Sequence, residues 1–175
     1  MFFTKPLVRL FGNKWLLILS MLLNGICMAG FLFLQNDQWQ LMYGLHALGS
    51  FVAGPMPILL WAMYADVADY SEWLNHRRAT GLVFAAATFS HKMGSALGAA
   101  VPGWALSLCN FAPPVDNVPQ EQTEQTITGI VNMMSVMPAI FLGCACAIMF
   151  FYNINDSLLR TIESDLLKRK QEQAN

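Results

Sequence analysis

The chain has 175 residues, 55% of them hydrophobic and 12% charged, about half the charged share of an ordinary soluble domain. A formal net charge of −1 gives no basic excess for nucleic acid, which is therefore not an expected partner. The deficit of charge points instead to a lipid bilayer as the solvent.

In chain order, residues 1–14 carry Lys5, Arg9 and Lys14 and read as a cytoplasmic N-terminal segment. Residues 15–34 hold no charge and match the roughly 20 apolar residues that a helix needs to cross a hydrocarbon core about 30 Å thick. A signal peptide would have a shorter apolar core and a small-residue cleavage site, so this run reads as a span that stays. Residues 41–64 form a second candidate span, interrupted by Gly54-Pro55-Met56-Pro57. Two prolines there withhold backbone donors and leave carbonyls free, a break tolerated at membrane depth where neighbours or cavity water satisfy it. Residues 82–109 and 129–152 complete the set, and the expected fold is an all-α membrane protein with four transmembrane helices. None of these runs alternates apolar and polar faces as a soluble helix does. Residues 153–175 place Leu158, Leu159, Ile162, Leu166 and Leu167 at helical spacing among charges, the pattern of an amphipathic tail at the membrane surface.

The lysines and arginines in successive connections number 3, 0, 2, 0 and 4. Cytoplasmic loops keep the excess of these residues. The count predicts a multi-pass protein of the cell (inner) membrane with both termini cytoplasmic and residues 110–128, which include Pro113, Pro114 and Pro119, facing outward. Cys27, Cys109, Cys144 and Cys146 lie in or at the ends of apolar runs, without metal-ligand spacing. Neither a metal site nor a disulfide framework is expected, and no nucleophile–base pair marks an enzyme.

The chemistry of the chain concentrates on Lys92. It lies about 15 Å beyond Leu82 along a helix, near the midplane, where a lysine costs at least about 2.5 kcal/mol on insertion scales and usually faces a bundle interior or a cavity. No Asp or Glu lies inside any of the four spans. Either the lysine is neutral, or its partner comes from another polypeptide or from helices outside these residues. Thr88 and Ser95 share its face and can either bind a sugar or back-bond within the helix. Gly94 and Gly98, continued by Ala99 and Gly103, form a small-residue face for close helix packing. The proline break can serve as a hinge or as a binding-site wall; Trp61 and Tyr64 follow within a turn of Asp66 and can belong to an interfacial aromatic belt, the better reading for Tyr64. Asp66 and Asp69 share a helix face and Arg77 with Arg78 begins the next helix, so the four can gather as a charge latch at the cytoplasmic mouth or remain an ordinary solvated loop.

The segments ADVADYSEW, RRATGLVFAAATFSHKMGSALGAAVPGW and YNINDSLLRTIESDLLKRK resemble the glycoside-pentoside-hexuronide:cation symporters, the family of melibiose permease. PLVRLFGNKW is similar to the loop before that family's ninth helix, so the likeness runs through nearly the whole chain. The resemblance implies a major facilitator fold in which these residues supply helices nine to twelve, and a central sugar site exposed to each side in turn. It implies that Lys92 lies near the sugar and cation sites, that Asp66, Asp69, Arg77 and Arg78 form the charged loop between the tenth and eleventh helices, and that Trp61 approximates an aromatic position. The implied function is uptake of a sugar, glycoside or hexuronide coupled to H⁺ or Na⁺, with no cofactor beyond that ion. The family's cation-binding aspartates lie in an early helix absent from these residues, which fits an unpartnered Lys92 and an inactive isolated chain. The expected partners are the substrate, the bilayer and the remaining transporter helices. The alternative is a small four-helix protein that associates with a transporter, or with itself, without transport of its own.

Overall fold

The computed structural model describes residues 4–34, 38–77, 79–109, 111–114 and 120–174. Every regular element among them is helical. Helix α1 covers Thr4–Gly30 and runs into a 3₁₀ turn at Phe31–Phe33; α2 covers Trp39–Ala53, α3 Met56–Asn75, α4 Thr80–Leu108, α5 Glu124–Phe150 and α6 Asp156–Ala174.

Three stretches are long and apolar enough to cross a membrane: Leu10–Phe33, Trp39–Asn75 and Glu124–Phe150. Helix α4 is longer than α5, at 29 against 27 residues, yet it is not among the three. His91 and Lys92, with Thr88, Ser90, Ser95 and several glycines, dilute its apolar content. The same residues that make α4 chemically interesting make it the least obvious span.

Helix α1 breaks at Gly12, where φ is 76° and ψ 162°. Side chains are sterically barred from that region, so glycine is required at this position. Between α2 and α3, Gly54 and Pro55 keep right-handed helical angles. The ladder is re-joined on either side, with Gly54 N–H donating to Ser50 O at 3.1 Å and Leu59 N–H to Pro55 O at 3.1 Å. The two helices thus follow one another as a single stretch that continues well beyond residue 64, to Asn75. At its far end His76 takes the left-handed conformation, φ 54°, that commonly stops a helix.

Helix α1 is the hub, packing on α5, α2 and α3. Its buried residues Leu16, Leu17, Ser20, Met21, Asn24 and Cys27 recur at helical spacing and define one stripe. Leu16, Leu17 and Met21 meet Leu59 and Met63 of α3, with Leu142, Ala145 and Met149 of α5 packed alongside. Lipid is as apolar as leucine, so van der Waals fit and interhelical hydrogen bonds must hold such helices together. Asn24 Nδ2 donates to Gly49 O of α2 at 2.8 Å in a buried setting. A Cβ on Gly49 would lie 3.4 Å from Cys27 Cβ, in van der Waals contact with α1.

Both ends of α5 are capped. Thr123 Oγ1 accepts from Thr126 N–H at 3.3 Å, an N-cap with Glu124 in the first turn. At the other end Lys14 Nζ donates to Phe150 O at 3.3 Å and also to Tyr152 O. The start of the apolar part of α1 is thereby fastened to the last carbonyls of α5.

Replacing Asn24 by Leu is expected to lower stability by about 0.5–1.5 kcal/mol, the range of buried hydrogen bonds between membrane helices. Lys14→Gln should lose about 1–2 kcal/mol, as it removes a cation hydrogen-bonded at a helix C-terminus. Thermal unfolding of the chain in detergent measures both, and an unchanged melting point would refute either contact.

Candidate functional site

Lys92 sits near the middle of α4, and its neighbours on that helix from Thr88 to Ala99 are all exposed. Ala87 is the one residue of α4 that is buried. Among the described residues the Lys92 ammonium has no hydrogen-bond or ion-pair partner.

Both hydroxyls expected beside it back-bond. Thr88 Oγ1 donates to Phe84 O at 2.8 Å, and Ser95 Oγ donates to Lys92 O at 3.0 Å. The protons are engaged, while each oxygen keeps acceptor capacity for a ligand hydroxyl. Phe84, Thr88 and Lys92 succeed one another at i, i+4 and i+8, on one stripe of α4. Phe84 stacks on Trp61 of α3, with ring centroids 5.8 Å apart and planes 15° off parallel. Trp61 meets Tyr64 edge-on at 5.7 Å and keeps 50% of its surface exposed. The structure thus ties Trp61 to the stripe that bears Thr88 and Lys92, through a phenylalanine not singled out in the sequence. Counting back two turns from Lys92 would have found it.

Gly94 and Gly98 line an apolar cleft between α4 and α5, with Leu97, Pro102, Met137 and Phe141 also in its wall and a volume of about 570 Å³. A Cβ at Gly94, Gly98 or Gly103 would meet nothing within 4 Å. The face suited to close packing is present, and no described helix fills it. Pro102 also removes the backbone donor that would close on the Gly98 carbonyl, leaving a polar atom on the same face. The opposite case is Gly129 of α5, where an added Cβ would collide with Cys109 Sγ and come within 3.2 Å of Cys109 Cβ. Thr126, fully buried, fixes the same junction by donating to Cys109 O at 2.8 Å.

Asp66 and Asp69 lie half-buried on α3. Arg77 is exposed in the connection after α3 rather than on α4, which begins at Thr80; the αL residue His76 ends one helix and the next is not yet started. Arg78 lies outside the described residues. A cavity of about 500 Å³ opens at this junction, lined by Ser71, Asn75, Arg77, Ala79, Gly81 and Leu82. The tail is a docked helix: α6 packs on α3, with Ile162 and Leu166 buried. Among the described residues no cluster of His, Cys, Asp or Glu could hold a metal, and all four cysteines are free.

These features define an all-helical membrane protein that places a cation and an aromatic cluster on the exposed faces of two successive helices, α3 and α4. The family model described as MFS/sugar transport protein matches residues 1–156, and the chain belongs to that family. It is 31% identical over 169 residues to the glucuronide carrier protein homolog of Escherichia coli (strain K12), covering 95% of this chain and 35% of that protein. Identity to the uncharacterized symporter YnaJ of Bacillus subtilis (strain 168) is 30% over 170 residues, again 95% of this chain and 35% of the relative. The inner membrane symporter YicJ of Escherichia coli (strain K12) is 33% identical over 112 residues, 63% of this chain and 24% of the relative. The chain therefore spans about a third of the length of the curated relatives it matches over most of its own length. No solved structure matches it. The likeness to sugar–cation symporters drawn from the sequence motifs holds at the level of the family.

The two kinds of glycine should respond with opposite sign. Gly94→Ala and Gly98→Ala are each expected to stabilise the isolated chain by about 0.5–1 kcal/mol, the helix preference of Ala over Gly. Gly129→Ala should destabilise it by about 1–3 kcal/mol, as overpacking does, with partial rescue by Cys109→Ala. Melting curves of the four variants in one detergent decide the matter; stabilisation by Gly129→Ala would contradict the α4–α5 junction.

Proposed function

We propose that the chain is the C-terminal portion of a secondary active transporter that couples uptake of a sugar, glycoside or hexuronide to H⁺ or Na⁺, and that it is not an enzyme. The observation that carries this reading is Lys92, exposed on α4 and without a partner among the described residues. A bilayer does not leave such a cation uncompensated, and an acid from the remaining two thirds of a transporter would complete it. The exposed small-residue face of α4 supports the same view, since it is shaped for a helix that the chain does not supply. In this reading α4 crosses the membrane as a fourth span despite its diluted apolar content.

Thr88, Ser95 and Trp61 serve the substrate in this reading, the hydroxyl oxygens accepting from sugar hydroxyls and the indole offering an apolar face. Lys92 couples the substrate and cation sites. Asp66 and Asp69, with Arg77 and Arg78, gather at the cytoplasmic mouth and favour one access state. In this reading the protein lies in the inner membrane with both termini in the cytoplasm, which the lysine and arginine count supports. The relatives, a glucuronide carrier protein homolog among them, favour a sugar-derived substrate.

Vesicles containing only this chain are expected to take up labelled glycosides no faster than empty vesicles, and measurable uptake would overturn the partial-transporter reading. In a transporter completed with the remaining helices, Lys92→Ala should reduce coupled uptake by at least about tenfold, the scale of removing one partner from a buried charge pair. Undiminished coupled uptake would remove Lys92 from the mechanism.

A further inference from the structure

Helix α6 is fastened to the end of α3 mainly through a single residue, Trp73. The indole Nε1 donates to Asp165 Oδ2 at 3.1 Å. One turn later on α6, Arg169 Nη1 donates to the main-chain oxygen of the same tryptophan at 3.1 Å, and it approaches His76 Nδ1 at 3.3 Å. Trp73 is thus held by its side chain and its backbone at once.

The chemistry of the second contact is specific to a helix terminus. Helix α3 ends at Asn75, so the Trp73 carbonyl is among the last four, which have no intrahelical donor. A guanidinium placed there both satisfies the carbonyl and sits at the negative end of the helix dipole. His76, the left-handed residue that terminates α3, is held by the same cation when its Nδ1 carries no proton. Among the described residues of α6, Ile162 and Leu166 are buried, while Leu158 and Leu159 are half-buried. Segments with few buried apolar contacts lie at the low-stability end of a structure and open first.

We propose that α6 is a releasable latch: docked, it holds the last turn of α3 and His76; released, it frees α3 to move against α4. His76 lies between the helix bearing Trp61 and the helix bearing Lys92. Any consequence of release for transport rests on the transporter reading, whereas the latch itself is measurable without transport.

The test is amide hydrogen exchange of the full 175-residue chain in lipid nanodiscs, followed at residues 74–82, with residues 16–21 of α1 as the internal reference. Trp73→Phe, Asp165→Ala and Arg169→Gln are each expected to speed exchange of the connection by about tenfold, as loss of a hydrogen bond to a charged group predicts. Trp73→Phe combined with Asp165→Ala should exchange no faster than the faster of the two single variants, because both remove the same bond. Glu163→Gln, on an exposed position of α6, should leave exchange unchanged. Unaltered exchange in the three variants, effects of the first two that multiply as if independent, or an acceleration spread equally to α1 would each overturn the latch.

Discussion

A membrane interior offers no water to an unpaired polar group, and the structure can be understood as the consequences of that single constraint. Helix is the default because it closes its own hydrogen bonds. Where the ladder is interrupted, as at Gly54-Pro55, the chain re-joins it within the same stretch. Several polar side chains in the apolar stretches are satisfied locally: Asn24 on Gly49, Ser135 on Val131 at 2.6 Å, Thr88 on Phe84. The Lys92 ammonium has no such acceptor among the described residues, and a cation is the group for which the omission costs most. The functional reading starts from that residue.

The same constraint explains what could be read without coordinates. A requirement for about 20 apolar residues per crossing writes the spans into composition, so α1, the α2–α3 pair and α5 are visible as charge-free runs. The extension of α3 to Asn75 was not visible, because beyond Tyr64 the helix carries Asp66, Asp69 and Glu72, and hydropathy does not register a helix continuing past the apolar band. The break at Gly12 is a matter of backbone angle, to which composition is blind. Lys92 stood out by position alone. Phe84 could be counted back from it, but its stacking on Trp61 could not be foreseen, since that partner comes from another helix. Asp66 and Asp69 lie on α3, whereas the placement of Arg77 depended on where α4 starts, and helix boundaries are the least legible feature of a sequence.

Small residues divide into two populations that sequence cannot separate. Gly129 is pressed against Cys109 at the end of α4 and Gly49 lies within van der Waals reach of α1, whereas Gly94, Gly98 and Gly103 face open space. All carry the same signature of close packing. The difference lies in what stands opposite, and for α4 the opposing surface is not among the described residues. Its exposed glycines and its exposed lysine therefore express one condition: α4 is finished as a helix and unfinished as a packed element.

The basic residues counted for orientation turn out to have a second, local task. Lys14 and Arg169 each donate to carbonyls at the end of a helix, α5 in one case and α3 in the other. Helix C-termini carry partial negative charge. The contacts bring the start of the apolar part of α1 and the ends of α3 and α5 to one face, where α6 also docks. A face that collects helix C-termini attracts lysine and arginine for reasons internal to the fold, independently of the rule that sets topology. The two demands reinforce each other here, because the residues that keep a segment on one side of the bilayer also close the open ends of the helices that arrive there. Loss of such a cation would then act first on the helix end it caps, and the conformational freedom gained would appear at the α3–α4 and α5–α6 connections before the apolar core around Leu17 and Leu59 responds.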